Sequence, residues 1–249
     1  MMATLPAIRQ EPTKQGGHKY YVEGDELIDP SRSLISCSTI AKYASSGDSD
    51  GLIYWGVDLA LKHGHRDAFR DSRDQAASVG HAIHSEISEY ISSEKPPKVE
   101  QSMLFGKWYS SMHEKGIEWL ATELMVYNAD LTPAYGGTID AIGVVDGVVT
   151  LFDWKTTNGL TNKGYKKKLG DSSHATQVAG YSLALKSQYR NGNSSYRNLI
   201  PEKAVICYLL KDTHEVAWRY VDLDKAELAF TTCHQLYSLN SKEGLYETR

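Results

Sequence analysis

The sequence predicts one α/β domain with an α-helical N-terminal part. Helix-period patterns run from about Ser38 to Gly116, and strand-type runs dominate immediately after it. An Asp-Gly pair at 146–147 sits between two apolar runs, among the strongest short hairpin signals. Helix, two strands and a closing helix follow the hairpin.

Residues 1 to about 30 are polar and broken by Pro and Gly, and read as a tail or irregular arm. Ser38 and Thr39 are placed to cap a short helix through Ala44. "DSDGLIYWGVDLALKHG" reads as a helix with Leu52, Trp55 and Leu59 at helical spacing and Gly64 as its stop. Residues 66–94 form a longer helix, with Ala76, Val79, Ile83, Ile87 and Ile91 on one apolar face. "KPP" at 95–97 ends it, because proline lacks the N–H a helix interior needs. A helix over roughly 100–115 carries Met103, Leu104, Trp108 and Met112. Strands follow at "TELMVYN" (122–128), "GGTIDAIGVV" (136–145) and "VVTLFDWK" (148–155). "SSHATQVAGYSLALKSQY" is a helix with Ala175, Val178 and Leu185 near one stripe. "KAVICYLL" and "EVAWRYVD" pair as strands, and "LDKAELAFTTCHQLYSL" closes the chain as an amphipathic helix. The domain reading is an arm over 1–30, a helical part over 31–120 and a sheet with its helices over 121–249, all in one compact unit.

Composition sets outer limits. The 249 residues suffice for a real core, and the apolar fraction is ordinary. A net charge of −4 neither announces nor excludes a nucleic-acid binder, since acids gathered at a metal site would mask a local basic stripe. Three scattered cysteines, Cys37, Cys207 and Cys233, argue against a disulfide framework and against a four-cysteine cluster, and fit a reducing cytoplasm. No apolar run nears the roughly 20 residues a membrane helix needs, and the N-terminus shows no signal core.

The hairpin carries the chemistry. Side chains alternate along a strand, so Asp153 and Lys155 share a face while Trp154 points the other way. With the turn centred on 146–147, Asp140 falls opposite Asp153. Two carboxylates and an ammonium then meet at one end of a sheet. Acids that close repel each other and raise a pKa, a conflict that a divalent cation removes. Oxygen ligands suit Mg²⁺ or Mn²⁺. A surface salt-bridge ladder gives the same pattern. The apolar neighbours, and the long loop that starts after Lys155, favour a functional site.

"GGTIDAIG" with Asp140, "FDWKT" with Asp153 and Lys155, and "QVAGY" with Gln177 and Tyr181 resemble the PD-(D/E)XK nuclease superfamily, and within it the RecB-like and phage-exonuclease branch. That branch carries a helix with a Gly-x-x-x-His pattern ahead of the sheet, here "GHAIH", Gly80 to His84. The likeness spans about residues 78–220. It departs from the family at Ser88, where a glutamate is common, and the chain lacks the cysteines of the iron–sulfur relatives.

The resemblance implies a restriction-endonuclease-like core, a central mixed β-sheet flanked by helices. It implies that His84, Asp140 and Asp153 hold Mg²⁺ or Mn²⁺, with the backbone carbonyl of Trp154 completing the shell. It implies that Lys155 acts beside the attacking water and the scissile phosphate. Gln177 would bind phosphate or orient Lys155, and Tyr181 would contact the DNA backbone. Glu123, at the start of the preceding strand, is a further candidate acid. In the loop after Lys155, Lys163, Lys166, Lys167 and Lys168 with Tyr165 among them form a candidate DNA-strand contact.

The function implied is a metal-dependent DNA exonuclease of recombination, repair or phage DNA processing. Its partner is DNA, as a duplex end or single strand, with a recombinase, single-strand-binding protein or helicase alongside, and an oligomer is open. A structure- or site-selective endonuclease, or a non-catalytic DNA-binding member, are the alternatives. A two-carboxylate glycosidase would leave Lys155 without a task.

Overall fold

The structure is a computed structural model that describes residues 7–13, 17–45, 49–93, 95, 103–161 and 164–240. Six strands build one mixed sheet: β3 (Ile35–Ser36), β4 (Glu118–Asn128), β5 (Tyr135–Val145), β6 (Val148–Thr157), β7 (Lys203–Leu210) and β8 (Val216–Val221). The long strand β5 pairs antiparallel with β4 along one edge. On its other edge it pairs parallel with β3 near its start and antiparallel with β6 near its end. Strand β7 then runs parallel to β6, and β8 antiparallel to β7. Six α-helices complete the fold: α1 (Cys37–Ala41), α2 (Ser49–His63), α3 (Ala68–Ser93), α4 (Met103–His113), α5 (Ser172–Arg190) and α6 (Leu223–Asn240). The α/β architecture with a mixed sheet flanked by helices is therefore as the sequence predicts.

Side-chain alternation sorts the sheet into two faces. Leu151 and Ile206 pack with α5 and α6 through Val178, Leu185 and Phe230. Phe152, Trp154 and Cys207 pack on the opposite face against Ile83, Ile87 and Ile91 of α3 and Leu104 and Trp108 of α4. Trp108, Trp119, Phe152 and Trp154 meet at ring-centroid separations of 5.2–6.2 Å, which fixes the α4 side of the sheet.

Local chemistry explains the elements. Asp146 and Gly147 both take positive φ, 51° and 77°, as a two-residue hairpin turn of the primed type demands. Asp171 caps α5 by accepting the Ser173 N–H at 2.8 Å. Gly180 lets α5 sit close to its neighbours, since a Cβ there would lie 2.4 Å from Phe230 and 2.5 Å from Cys37 Sγ.

Four expectations change. In place of an irregular arm over residues 1–30, strands β1 (Ala7–Pro12) and β2 (His18–Glu23) form an antiparallel hairpin. Tyr20 and Val22 are buried while their neighbours face outward, a period-two alternation too short and too polar in its flanks to stand out. Short strand β3 is also unforeseen, because two residues carry no periodicity. The cap of α1 falls at Ser36, ahead of Ser38 and Thr39, and its side chain makes no capping hydrogen bond. Finally, of the apolar face predicted for α3 only Ile83, Ile87 and Ile91 are buried: Ala76 and Val79 are exposed. Among the described residues no helix is long and apolar enough to cross a membrane.

Candidate active site

The site forms where the hairpin opens. Strands β5 and β6 pair in register from Val145↔Val148 to Ala141↔Phe152, and the ladder stops there. The next pair in that register is Asp140 and Asp153. Beyond it the strands separate, and one backbone amide bridges the gap: Trp154 N–H donates to Asp140 Oδ2 at 2.7 Å. Lys155 lies one step further along β6, beside Tyr208 of β7. The offset predicted for Asp140 and Asp153 is thus the one the ladder keeps.

On the other side of β5, Leu124↔Ile139 and Thr122↔Ala141 bracket a position where Glu123 faces Asp140. Glu123 has φ of 49°, an uncommon conformation for a non-glycine residue inside a strand. Thr122 Oγ1 donates to the Asp140 carbonyl at 2.8 Å and pins the distortion. Three acids from three neighbouring strands, Glu123, Asp140 and Asp153, therefore stand in a row.

A cleft of about 540 Å³ opens over this row. It is lined by Glu123, Asp140, Asp153 and Lys155 from the sheet, by His84 and Ser88 from α3, and by Gln177 and Tyr181 from α5. Gly80 sits one turn before His84, and a Cβ there would stand 3.0 Å from Thr156 Oγ1. The glycine lets α3 press on β6, which brings His84 Nδ1 to 3.7 Å from Asp140 Oδ1.

Electrostatics pull the two aspartates apart. Burial pushes the Asp153 carboxyl up to about 6, with repulsion from Asp140 adding to it and Lys155 opposing. Burial also pushes on Asp140, yet His84, Lys155 and the Trp154 N–H outweigh it and hold that carboxyl below its usual range. The His84 imidazole moves the other way: burial disfavours its charge, and the Asp140 carboxylate overrides this to raise it. Glu123 is raised by burial first and by Asp140 second. Lys155 Nζ stands 2.6 Å from Asp153 Oδ2, an ion-pair distance. That oxygen is buried, and Lys155 is the charge that compensates it.

The donor set suits a hard divalent ion: two carboxylates, an imidazole and the Trp154 carbonyl next in sequence. Among the described residues no group of three or more His, Cys, Asp or Glu is already arranged to hold a metal; Lys155 pairs with Asp153, and His84 faces Asp140. The fit rests on donor chemistry, carboxylate oxygens and an imidazole lining one cleft.

Other predicted residues divide. Gln177 Nε2 donates to the Tyr181 hydroxyl at 2.5 Å, so the i, i+4 pair acts as one unit. The Tyr181 ring is core, 5% exposed, and Gly137 leaves room for it: a Cβ there would meet the ring at 2.5 Å. Of the loop residues, Lys163 lies outside the described residues. Tyr165, Lys166, Lys167 and Lys168 are exposed and do not line the cleft. Lys167 Nζ donates to Thr157 Oγ1 at 3.3 Å, while Asp212 accepts the Gly159 and Leu160 amides and anchors the loop's start.

Sequence reasoning missed the wall opposite α5. Thr138 Oγ1 donates to Gln10 Oε1 at 3.0 Å and shares a hydrogen bond with the Tyr20 hydroxyl at 3.1 Å, so the β1–β2 hairpin closes one side of the cleft. His18 follows, its Nδ1 paired with the Gln10 amide. It also missed His174, whose Nδ1 lies 3.0 Å from the Tyr208 hydroxyl beside Lys155. Burial and then the Lys155 charge depress that imidazole to about 4, so it is neutral at pH 7. Nothing in "SSHATQ" marks this histidine.

No protein-family model and no curated protein matches the chain. Among solved structures it is similar to that of SSO0001, at 15% identity and a TM-score of 0.40, covering 83% of this chain and 77% of that one. At that distance the likeness carries no argument about chemistry.

Proposed function

We propose that this chain is a metal-dependent deoxyribonuclease of the PD-(D/E)XK type that hydrolyses phosphodiester bonds, acting from strand ends. One observation carries the reading. The register of β5 and β6 sets Asp140, Asp153 and Lys155 around one cleft with His84, with the buried Asp153 carboxylate held by Lys155.

Asp140, Asp153, His84 and the Trp154 carbonyl would hold Mg²⁺ or Mn²⁺. Bound there, the ion neutralises phosphate charge and makes hydroxide more available at neutral pH. The remaining work falls to side chains. Lys155 compensates Asp153 while the cleft is empty of substrate, and swings to a non-bridging phosphate oxygen or the attacking water when a strand arrives. Gln177, tethered to Tyr181, offers a second neutral donor on the α5 side. Glu123 and Asp140 order the water on the β4 side. The water oxygen bonds to phosphorus as the bond to the leaving sugar oxygen breaks. The water's proton passes to solvent, and the leaving oxygen takes one up.

The test uses end-labelled linear duplex and single-stranded DNA with Mg²⁺, Mn²⁺ or EDTA, for wild type beside Lys155→Ala. Cleavage with either metal, none in EDTA and a loss on the order of 100-fold or more in the variant are expected. Cleavage in EDTA, or an undiminished Lys155→Ala, overturns the reading. Closed circular DNA cut as fast as linear DNA overturns the end-acting mode alone.

A further inference from the structure

The cleft does not end at His84. It opens into a second, larger hollow of about 1220 Å³, and the two share Gly17, His18, Ser36, Ser38 and His81. One side of this groove is the exposed first half of α3. Arg70, Arg73, Ala77 and His81 recur every three or four residues, and His84 and Ser88 continue the same stripe into the cleft. The other side is Lys42, Ser38 and Thr39, with Thr13, Gly17 and His18 also lining it.

We propose that this groove is the path of a single nucleic-acid strand, gripped through its phosphates by Arg70, Arg73 and Lys42 and delivered along α3 to the acid row. The grip itself is independent of the nuclease reading, and only the fate of the strand at the far end rests on it.

Dimensions favour one strand over two. From Arg70 to His81 the helix rises about 17 Å. Spread over that length and widened by a water radius at each wall, the groove is roughly 11 Å across. A duplex, whose two grooves alone are about 12 and 6 Å wide, is broader than that and cannot lie inside. A stacked strand advances about 3.4 Å per nucleotide, so this stretch holds about five.

Charge favours a phosphate backbone. The acids that face these cations are solvent-exposed. Arg73 pairs with Asp74 at 3.0 Å, and Arg70 approaches Asp67 at 3.8 Å. Bridges of that kind are weak, and phosphates can displace them. Hydroxyls of Ser36, Ser38, Thr39 and Ser78 add neutral donors of the sort that contact phosphate oxygens. Among the described residues the groove wall holds no Phe, Tyr or Trp to stack bases. The grip is therefore indifferent to sequence, with bases turned outward.

The experiment measures binding of a fluorescent oligothymidylate of about 12 nucleotides, and of a duplex of the same length, to the full chain in EDTA across a salt series. Wild type is compared with a Lys42→Ala/Arg70→Ala/Arg73→Ala triple variant and with Arg70→Lys/Arg73→Lys. For the single strand, the slope of log affinity against log salt should become shallower by about 2, near 0.7 per lost contact, and low-salt affinity should fall on the order of 100-fold. The lysine variant should keep most of the slope.

An unchanged single-strand slope in the triple variant overturns the inference. So does an equal loss for duplex and single strand. All three residues are exposed, and a thermal melt confirms that the variant folds. Should wild type prove inactive with Mg²⁺ while the slope change holds, the nuclease reading fails and the strand path stands.

Discussion

Two halves of one helix follow different rules. In the C-terminal half of α3, Ile83, Ile87 and Ile91 sink into the core at one residue per turn, opposite Trp154 and Phe152 of the sheet. In the N-terminal half, every residue from Arg70 to Val79 is exposed apart from the half-buried Ser72. His84 stands just past the junction. The buried half therefore fixes where the imidazole sits, while the exposed half is free to carry charge toward it. A helix held at its start by Ala68 and Phe69 against α2 and beyond its midpoint by the isoleucines is suited to presenting the exposed stretch between to a ligand without moving His84.

The contrast is broken most directly by paired truncations. Ile87→Ala removes a fully buried side chain and should cost about 2–5 kcal/mol, through lost burial and the cavity left behind. Val79→Ala, eight residues earlier on the same nominal stripe, should stay within about 0.5 kcal/mol. Urea unfolding of both variants checks it. A Val79 loss comparable to that of Ile87 would mean that the first half packs against something after all.

A second contrast sets α5 beside α3: His84 lines the cleft and His174 lies behind it against Tyr208, with opposite electrostatics. His84 is raised by Asp140, whereas His174 is depressed to about 4 by burial and Lys155. Between pH 4 and about 6.5 the unfolded chain binds a proton that folded His174 refuses. Stability should therefore rise with pH across that window from this residue, and be flat above it. Allowing for partial exposure, the span is about 2 kcal/mol. Asp153, raised to about 6, contributes the opposite slope below that pH, so the variant isolates the histidine: His174→Gln should lose the rise in urea midpoint that wild type gains between pH 4.5 and 7 from this residue. An identical pH profile for wild type and variant would show that the imidazole is solvated.

Legibility followed the physics of each signal. The Asp140–Asp153 offset was readable because a two-residue turn at Asp146–Gly147 sets the register of everything behind it. Gly80 and His84 were readable as a pattern, and the structure supplies the reason, a close approach to Thr156. The β1–β2 hairpin was not readable: with only Tyr20 and Val22 pointing inward in β2, its periodicity is two residues deep. The Arg70–His81 stripe escaped for another cause. An exposed helix face and a groove wall have the same composition, and only the tertiary position of β1–β2 and α1 turns one into the other. Glu123 was legible as an acid near a strand start, but no sequence rule foretells its positive φ.

The smallest expected effect tests the junction itself. Gly80 is inside a helix, where alanine is favoured over glycine by about 0.8–1.0 kcal/mol. Its added Cβ would stand 3.0 Å from Thr156 Oγ1, tighter than ordinary contact but against a side chain that can rotate. The two contributions oppose, so Gly80→Ala alone should shift stability by only a few tenths of a kcal/mol. In a Thr156→Ala background the contact is gone, and the same substitution should recover the full helix preference of about 1 kcal/mol. The difference between the two backgrounds measures how hard α3 is pressed onto β6. If it is nil, His84 is held by the isoleucines below it alone, and the glycine of the motif serves no packing purpose.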